Sequence, residues 1–290
     1  MHHQEAWPMV GEEARQMLAQ FFEYDRDVPL DDRVLARQED EASRREKIVF
    51  QGLRRSRVPG YLTVPARGSP PYPCILLAHG MGGSKQDWSV AGSDDSRVLR
   101  DLLAAGVALL ALDAPCHGER ISEIDYESIY SVIRPNLYRE WIVQWTIEYR
   151  LAIDYLTGRP EIDSSRIGIL GYSLGGVMVY CLAGVDARIR VAAVASTAPV
   201  SRHYLNRIGW DESALIRMTP IAPQALAPAI RAPFLMLNGK NDPLGTVEGV
   251  QALYELIGSS TKESVLMDSG HLLPADHIPR VVDWFTRHLM

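Results

Sequence analysis

The sequence predicts an α/β fold: a mostly parallel, doubly wound sheet with flanking helices and an antiparallel hairpin towards its N-terminal end. Three observations point there. From residue 74 onward, short apolar runs closing on Gly, Asp or Asn alternate with longer amphipathic stretches, the rhythm of βαβ units. The runs are continuously apolar rather than alternating, as suits strands buried on both faces of a parallel sheet. Upstream, the β-rich segments 48–50 and 58–64 flank Arg54-Arg55-Ser56-Arg57, which reads as a solvated hairpin turn whose charges also protect a strand edge.

Taken in order, residues 1–46 read as an N-terminal helical extension. Within it, 12–22 has helical spacing that puts Met17, Leu18, Phe21 and Phe22 on one side, and 25–32, with Pro29, is a loop. Residues 47–290 read as one domain. Its strands are expected at 74–78, 107–112, 167–170, 191–195, 234–237 and 264–267. Its helices are expected at 96–105, 137–157, 174–183, 247–257 and 278–289. Two stretches break the rhythm, 119–150 and the proline-punctuated 200–232. Both are expected near the strand ends, over any site. In doubly wound sheets ligands bind at the carboxyl ends of the strands.

Composition narrows the function. The 290 residues are 47% hydrophobic and 23% charged, which excludes a wholly disordered chain. Lys and Arg number 30 against 36 Asp and Glu, a net charge of −6, so a nucleic-acid partner is not expected. The apolar stretch 102–112 is interrupted by Gly106 and is too short for a bilayer span, which needs about 20 residues. Residues 1–10 show no apolar signal segment. Three cysteines, Cys74, Cys116 and Cys181, are an odd, low count that reads as free thiols in a reducing compartment, hence a cytoplasmic location.

The strongest local signal is Gly171-Tyr172-Ser173-Leu174-Gly175-Gly176. It is G-x-S-x-G between a strand-like and a helix-like segment, the setting that motif requires. A sharp turn exposes the Ser173 hydroxyl, and small neighbours let the chain pack there. The bland alternative is a Gly-rich turn with an N-cap serine. A serine nucleophile needs a base, and His271 follows Gly270 just past the last apolar run. His203 is the weaker alternative, while His277 and His288 fall in the terminal helix and read as surface residues. The base needs an orienting carboxylate. Asp242 follows the 234–237 run, and Asp268 is the runner-up. Gly-rich 79–83 follows the first buried run, so the amides of Met81 and Leu174 are assigned as oxyanion donors. His79 reads as a loop-packing residue. No Walker-type or dinucleotide-binding glycine pattern appears, and no metal-ligand spacing, so neither a cofactor nor a metal is expected. Cys116-His117 as a thiol dyad is disfavoured, because adjacent side chains diverge. Trp88, Trp141, Trp145 and Trp210 are candidates to line an apolar pocket; for Trp141 and Trp145 the alternative is the core face of their own helix.

On these pieces the sequence resembles the α/β-hydrolase superfamily. The matching segments are His79-Gly80-Met81-Gly82-Gly83, Asp113-Ala114-Pro115-Cys116-His117-Gly118, the Ser173 motif, Asn241-Asp242 and Gly270-His271. The order Ser173, Asp242, His271 is that family's triad order. Within it the chain looks most like esterases related to dienelactone hydrolases and acetyl xylan esterases, with 58–65 similar to the strand before their oxyanion loop. Dienelactone hydrolases proper use a cysteine nucleophile; Ser173 stands in that place here. The resemblance spans residues from about 48 to the end. It implies a cofactor-free serine hydrolase, a carboxylesterase acting on small to medium carboxylic esters through an acyl-enzyme on Ser173, with residues 47–290 as the catalytic domain. The alternatives are a thioesterase, peptidase or C–C bond hydrolase on the same fold, or a hydrolase-like binding protein without catalysis. Residues 1–46 are expected either to cover the site or to mediate dimerisation, so a homo-oligomer stays open.

Overall fold

The computed structural model describes residues 10–123 and 134–290. In chain order the elements are α1 (Glu12–Ala19), β1 (Arg33–Glu39), β2 (Ser43–Gln51), β3 (Arg57–Pro65), β4 (Tyr72–Ala78), α2 (Asp94–Ala104), β5 (Ala108–Leu112), α3 (Pro135–Thr157), β6 (Ile162–Tyr172), α4 (Leu174–Val185), β7 (Ile189–Ala195), α5 (Arg202–Ile208), α6 (Ser213–Met218), α7 (Pro223–Leu226), β8 (Phe234–Gly239), α8 (Val247–Leu256), β9 (Lys262–Met267) and α9 (His277–Leu289). Among the described residues the strands form one nine-stranded sheet in the order β1-β2-β3-β5-β4-β6-β7-β8-β9. The first pairings, β1–β2, β2–β3 and β3–β5, are antiparallel, and every pairing from β5–β4 to β8–β9 is parallel.

The apolar runs become strands because both faces of the sheet are covered. Along β4, Cys74, Leu76 and Ala78 enter a core shared with α3, α4 and α8, while Ile75 and Leu77 enter a second core with α2 and α9. Period-two alternation therefore sends successive side chains to opposite layers, and each position must be apolar. The strand β5 does the same, with Ala108, Leu110 and Leu112 on one side and Leu109 and Ala111 on the other. The α/β expectation and the N-terminal hairpin both hold, the latter as β2 and β3 meeting at Gln51 and Arg57. The parallel strands carry their C-terminal ends to one edge, and each residue of the site leaves from that edge.

The antiparallel part extends further back than expected. The boundary placed at residue 46 falls inside β2, and the strand β1 lies within the supposed helical extension. All seven β1 residues are exposed, so Arg33–Glu39 never needed an apolar pattern that a sequence reading could detect. The helix α1 buries none of its residues; of the apolar side expected there, Phe22 is buried but Met17 and Phe21 are exposed.

The two irregular stretches join the core and also, through Tyr138, Tyr204, Ile208 and Trp210, border a cavity at the strand ends. Of 119–150, residues 124–133 lie outside the described residues; the rest includes the start of α3, whose Trp141, Ile142, Trp145 and Tyr149 are buried. In 200–232, prolines sit in the first turn at Pro220, Pro223 and Pro228, where a missing N–H is harmless. Leu205, Met218, Ile221, Ala225 and Leu226 from this stretch join the main core. Among the described residues no helix is long and apolar enough to cross a membrane.

Candidate active site

Ser173 stands between the end of β6 and the first residue of α4, with φ 52° and ψ −110°. A positive φ is unfavourable for a side chain with a Cβ, and local packing holds it there. The Ser173 amide donates to the Ala195 carbonyl of β7 at 2.8 Å, and its own carbonyl accepts from the amides of Gly176 at 3.0 Å and Val177 at 3.3 Å. The flanking glycines are a steric need. A Cβ on Gly175 would lie 2.3 Å from the Ala78 carbonyl oxygen, and one on Gly171 would lie 2.5 Å from Gly175. The helix can thus begin directly above the end of β4.

The three residues singled out as nucleophile, base and acid converge. His271 Nε2 lies 2.9 Å from Ser173 Oγ, and His271 Nδ1 lies 2.8 Å from Asp242 Oδ2. The carboxylate can only accept, so Nδ1 carries the proton and Nε2 is left to accept from the serine hydroxyl. Asp242 is buried, and its other oxygen accepts from the Leu244 amide at 2.9 Å. Neither His203, whose Nε2 approaches the Pro243 carbonyl at 3.0 Å, nor Asp268 joins this set.

Ser173 and His271 open into a cavity of about 590 Å³. Met81 and Leu174 line it beside Ser173, with Val177, Tyr138, Tyr204, Ile208, Trp210 and Leu244 giving much of the wall an apolar character and Asp94, Asp95, Tyr172 and His277 adding polar groups. Trp210 is therefore in the lining, packed edge-on to Tyr138 at 5.8 Å. The other three tryptophans are not. Trp88 is fully buried against Tyr172, Trp145 packs on His79 and Tyr149, and Trp141 packs with Cys116. Their large apolar surface is used in the core. The sequence reading missed Tyr138 and Tyr204, which carry no motif and reach the cavity only through helix packing.

His79 is fully buried and packs beneath the Gly-rich loop after β4. Its ring lies between the Gly80 carbonyl at 2.8 Å and the Ala114 amide at 3.1 Å. Burial pushes its pKa down to about 4, so it stays neutral and ties the loop after β4 to the loop after β5. His277 is also buried, not a surface residue: its Nε2 meets the Tyr172 hydroxyl at 2.8 Å. Burial raises all three thiols, Cys116 up to about 12, so none is a ready nucleophile. Among the described residues no three His, Cys, Asp or Glu side chains are grouped to hold a metal ion.

Comparison with known proteins identifies the family and the fold. The chain is 25% identical over 224 residues to YtaP of Bacillus subtilis (strain 168), provisionally named a hydrolase, covering 68% of this chain and 69% of that one. It is 24% identical over 246 residues to a Methylorubrum extorquens protein provisionally named a carboxymethylenebutenolidase, covering 80% and 77%. The crystal structure of acetyl xylan esterase 1 from Thermoanaerobacterium sp. JW/SL YS485 superposes with a TM-score of 0.77 at 16% identity, over 96% of this chain and 94% of that one, and shares its fold. The model of the alpha/beta hydrolase family matches residues 75–227. That span runs from β4 through the Ser173 turn and is more than half of the chain, which belongs to the alpha/beta hydrolase family.

Proposed function

We propose that the protein is a carboxylesterase-type serine hydrolase cleaving small to medium carboxylic esters. The observation that carries this reading is the unbroken hydrogen-bonded series from Ser173 Oγ through His271 to Asp242, opening on a 590 Å³ cavity. His271 Nε2 takes the hydroxyl proton as Ser173 Oγ attacks the acyl carbon. Asp242 holds the ring in the required tautomer and stabilises the imidazolium. The Met81 and Leu174 amides bind the oxyanion, each worth roughly 3 kcal/mol in the transition state. The alcohol leaves with the proton from His271. Water then loses a proton to the same nitrogen as it attacks the acyl-enzyme, and the acid is released from Ser173.

The mixed lining, with Trp210, Tyr138 and Tyr204 beside polar groups, suits an ester with an apolar portion. The esterase named among the structural relatives supports the same bond type. A nitrophenyl ester panel tests the reading. Ser173→Ala and Asp242→Asn should each lower kcat by about 10³-fold or more, and a fluorophosphonate probe should label Ser173 alone. Full activity in Ser173→Ala would remove the mechanism. Faster turnover of matched thioesters or peptides would keep the nucleophile and change the substrate.

A further inference from the structure

We infer that Tyr172, Ser196 and His277 are positioning residues that pin the loop carrying His271 against the Ser173 turn; the inference rests on the acyl-transfer reading above. The difficulty they meet is geometric. Ser173 follows β6 directly, but Asp242 and His271 come from the irregular segments after β8 and β9, and the His271 ring is partly exposed. Loops are the mobile part of a fold. A shift of about 1 Å in a reacting group can cost 10²-fold in rate.

The Asn241 amide holds this loop from β8 by donating to the Ser269 carbonyl at 2.9 Å, and two further contacts tie it to the strands beside the nucleophile, one at the base and one six residues beyond it. At the first, the Ser196 hydroxyl donates to the main-chain carbonyl of His271 itself at 2.6 Å. Ser196 follows β7 in a left-handed conformation, φ 56°, rare for a residue with a Cβ. Its amide is anchored to the Leu237 carbonyl of β8 at 2.8 Å. The strained backbone thus lies next to a bond made to the base's own main chain. At the second, His277 Nδ1 lies 2.8 Å from the Pro274 carbonyl, which can only accept, so that nitrogen holds the proton. His277 Nε2 then accepts from the Tyr172 hydroxyl at 2.8 Å. Tyr172 is the residue immediately before Ser173, and its ring is held between Trp88 at 5.6 Å and His277 at 5.7 Å. The segment bearing the base is therefore fastened to β6, which ends at the nucleophile, and to its sheet neighbour β7. The Ser173–His271 separation is set by the rigid sheet instead of by the loop.

The test uses Tyr172→Phe and Ser196→Ala, which remove one hydroxyl each, in the full chain. Each should lower kcat for a nitrophenyl ester by about 10- to 100-fold with KM within about twofold. Fluorophosphonate labelling should slow by the same factor while the melting temperature stays within a few degrees. His277→Gln, whose amide oxygen can accept from Tyr172, should retain more rate than His277→Leu. A second readout does not depend on turnover: the far-downfield proton NMR signal of His271 Nδ1–H, assigned by its loss in His271→Ala, should broaden or shift in both hydroxyl variants. An unchanged signal, or losses that appear in KM alone, would overturn the inference. A wild-type protein that hydrolyses no ester but keeps a signal sensitive to Tyr172→Phe and Ser196→Ala would defeat the ester reading and leave the positioning role standing.

Discussion

Asp95 shows how one residue's surroundings set a measurable property. It lines the cavity from the first turn of α2, and burial, with Asp87 and Asp94 nearby, pushes its carboxyl up to about 6 from an ordinary 3.8. The folded state therefore binds the proton more tightly than the unfolded chain. Its contribution is favourable at low pH and is lost as pH rises through about 6. Asp95→Asn should thus stabilise the protein at about pH 8 by ~1–2 kcal/mol, after discounting for solvent screening, and change little near pH 3.5. Urea unfolding at the two pH values checks this, and a stability difference independent of pH would contradict it. Gly175 is the opposite case, a residue whose role is to have no side chain: the 2.3 Å approach to the Ala78 carbonyl leaves no room for a methyl group.

At the scale of elements, the loop after β5 is held by buried charge. Asp113 is fully buried and accepts from the Lys85 amide at 2.8 Å, Lys85 Nζ at 2.6 Å and the Glu119 amide at 3.0 Å. Arg120, one residue on, forks onto Glu148 of α3 at 2.6 and 2.9 Å and reaches back to the Asp113 carbonyl at 3.2 Å. Burial opposes the Arg120 charge, but Glu148 and Glu123 more than offset it and raise its pKa. This loop in turn carries the Ala114 amide that fixes His79 under the Gly-rich loop after β4. Glu148→Ala would leave a guanidinium buried with half its partners gone and should cost about 3–5 kcal/mol. The joint replacement Arg120→Met with Glu148→Leu should cost clearly less, since no charge is stranded. Denaturant midpoints of the two proteins decide the point; equal losses would show that packing, not charge, holds the loop.

Over the whole molecule the net charge is −6, and the cavity repeats that sign locally. Asp94 and Asp95 line it, and no lysine or arginine is among its described lining residues. Charges in a cleft with low-dielectric walls focus their field on the ligand. An ester bearing a carboxylate should therefore be a poorer substrate than a neutral isostere, and one bearing a quaternary ammonium a better one. At low salt kcat/KM should differ by about tenfold between the charged extremes, and the gap should close as salt shortens the screening length. Matched esters assayed across a salt series test this; identical rates at low salt would refute it.

Much of this architecture is legible in one dimension because its signals are local. Continuous apolar runs betray strands covered on both faces, helical periodicity betrays α3 and α9, and the G-x-S-x-G turn needs only six consecutive residues to express its sterics. The chain order of Ser173, Asp242 and His271, each just past a strand, places them at one edge once the sheet is accepted. What lines the cavity is different in kind. Trp141 and Trp210 look alike in sequence, yet the first is buried in the face of α3 and the second, in the turn between α5 and α6, meets the cavity, because the packing of distant segments decides which side chains border empty space. His277 gives no hint that it will bond a tyrosine 105 residues away. Strand β1, exposed along its length, has no apolar alternation to announce it and forms only because β2 offers an unpaired edge. Such features arise from contacts between distant segments, and a linear pattern carries no trace of a contact until folding closes the distance.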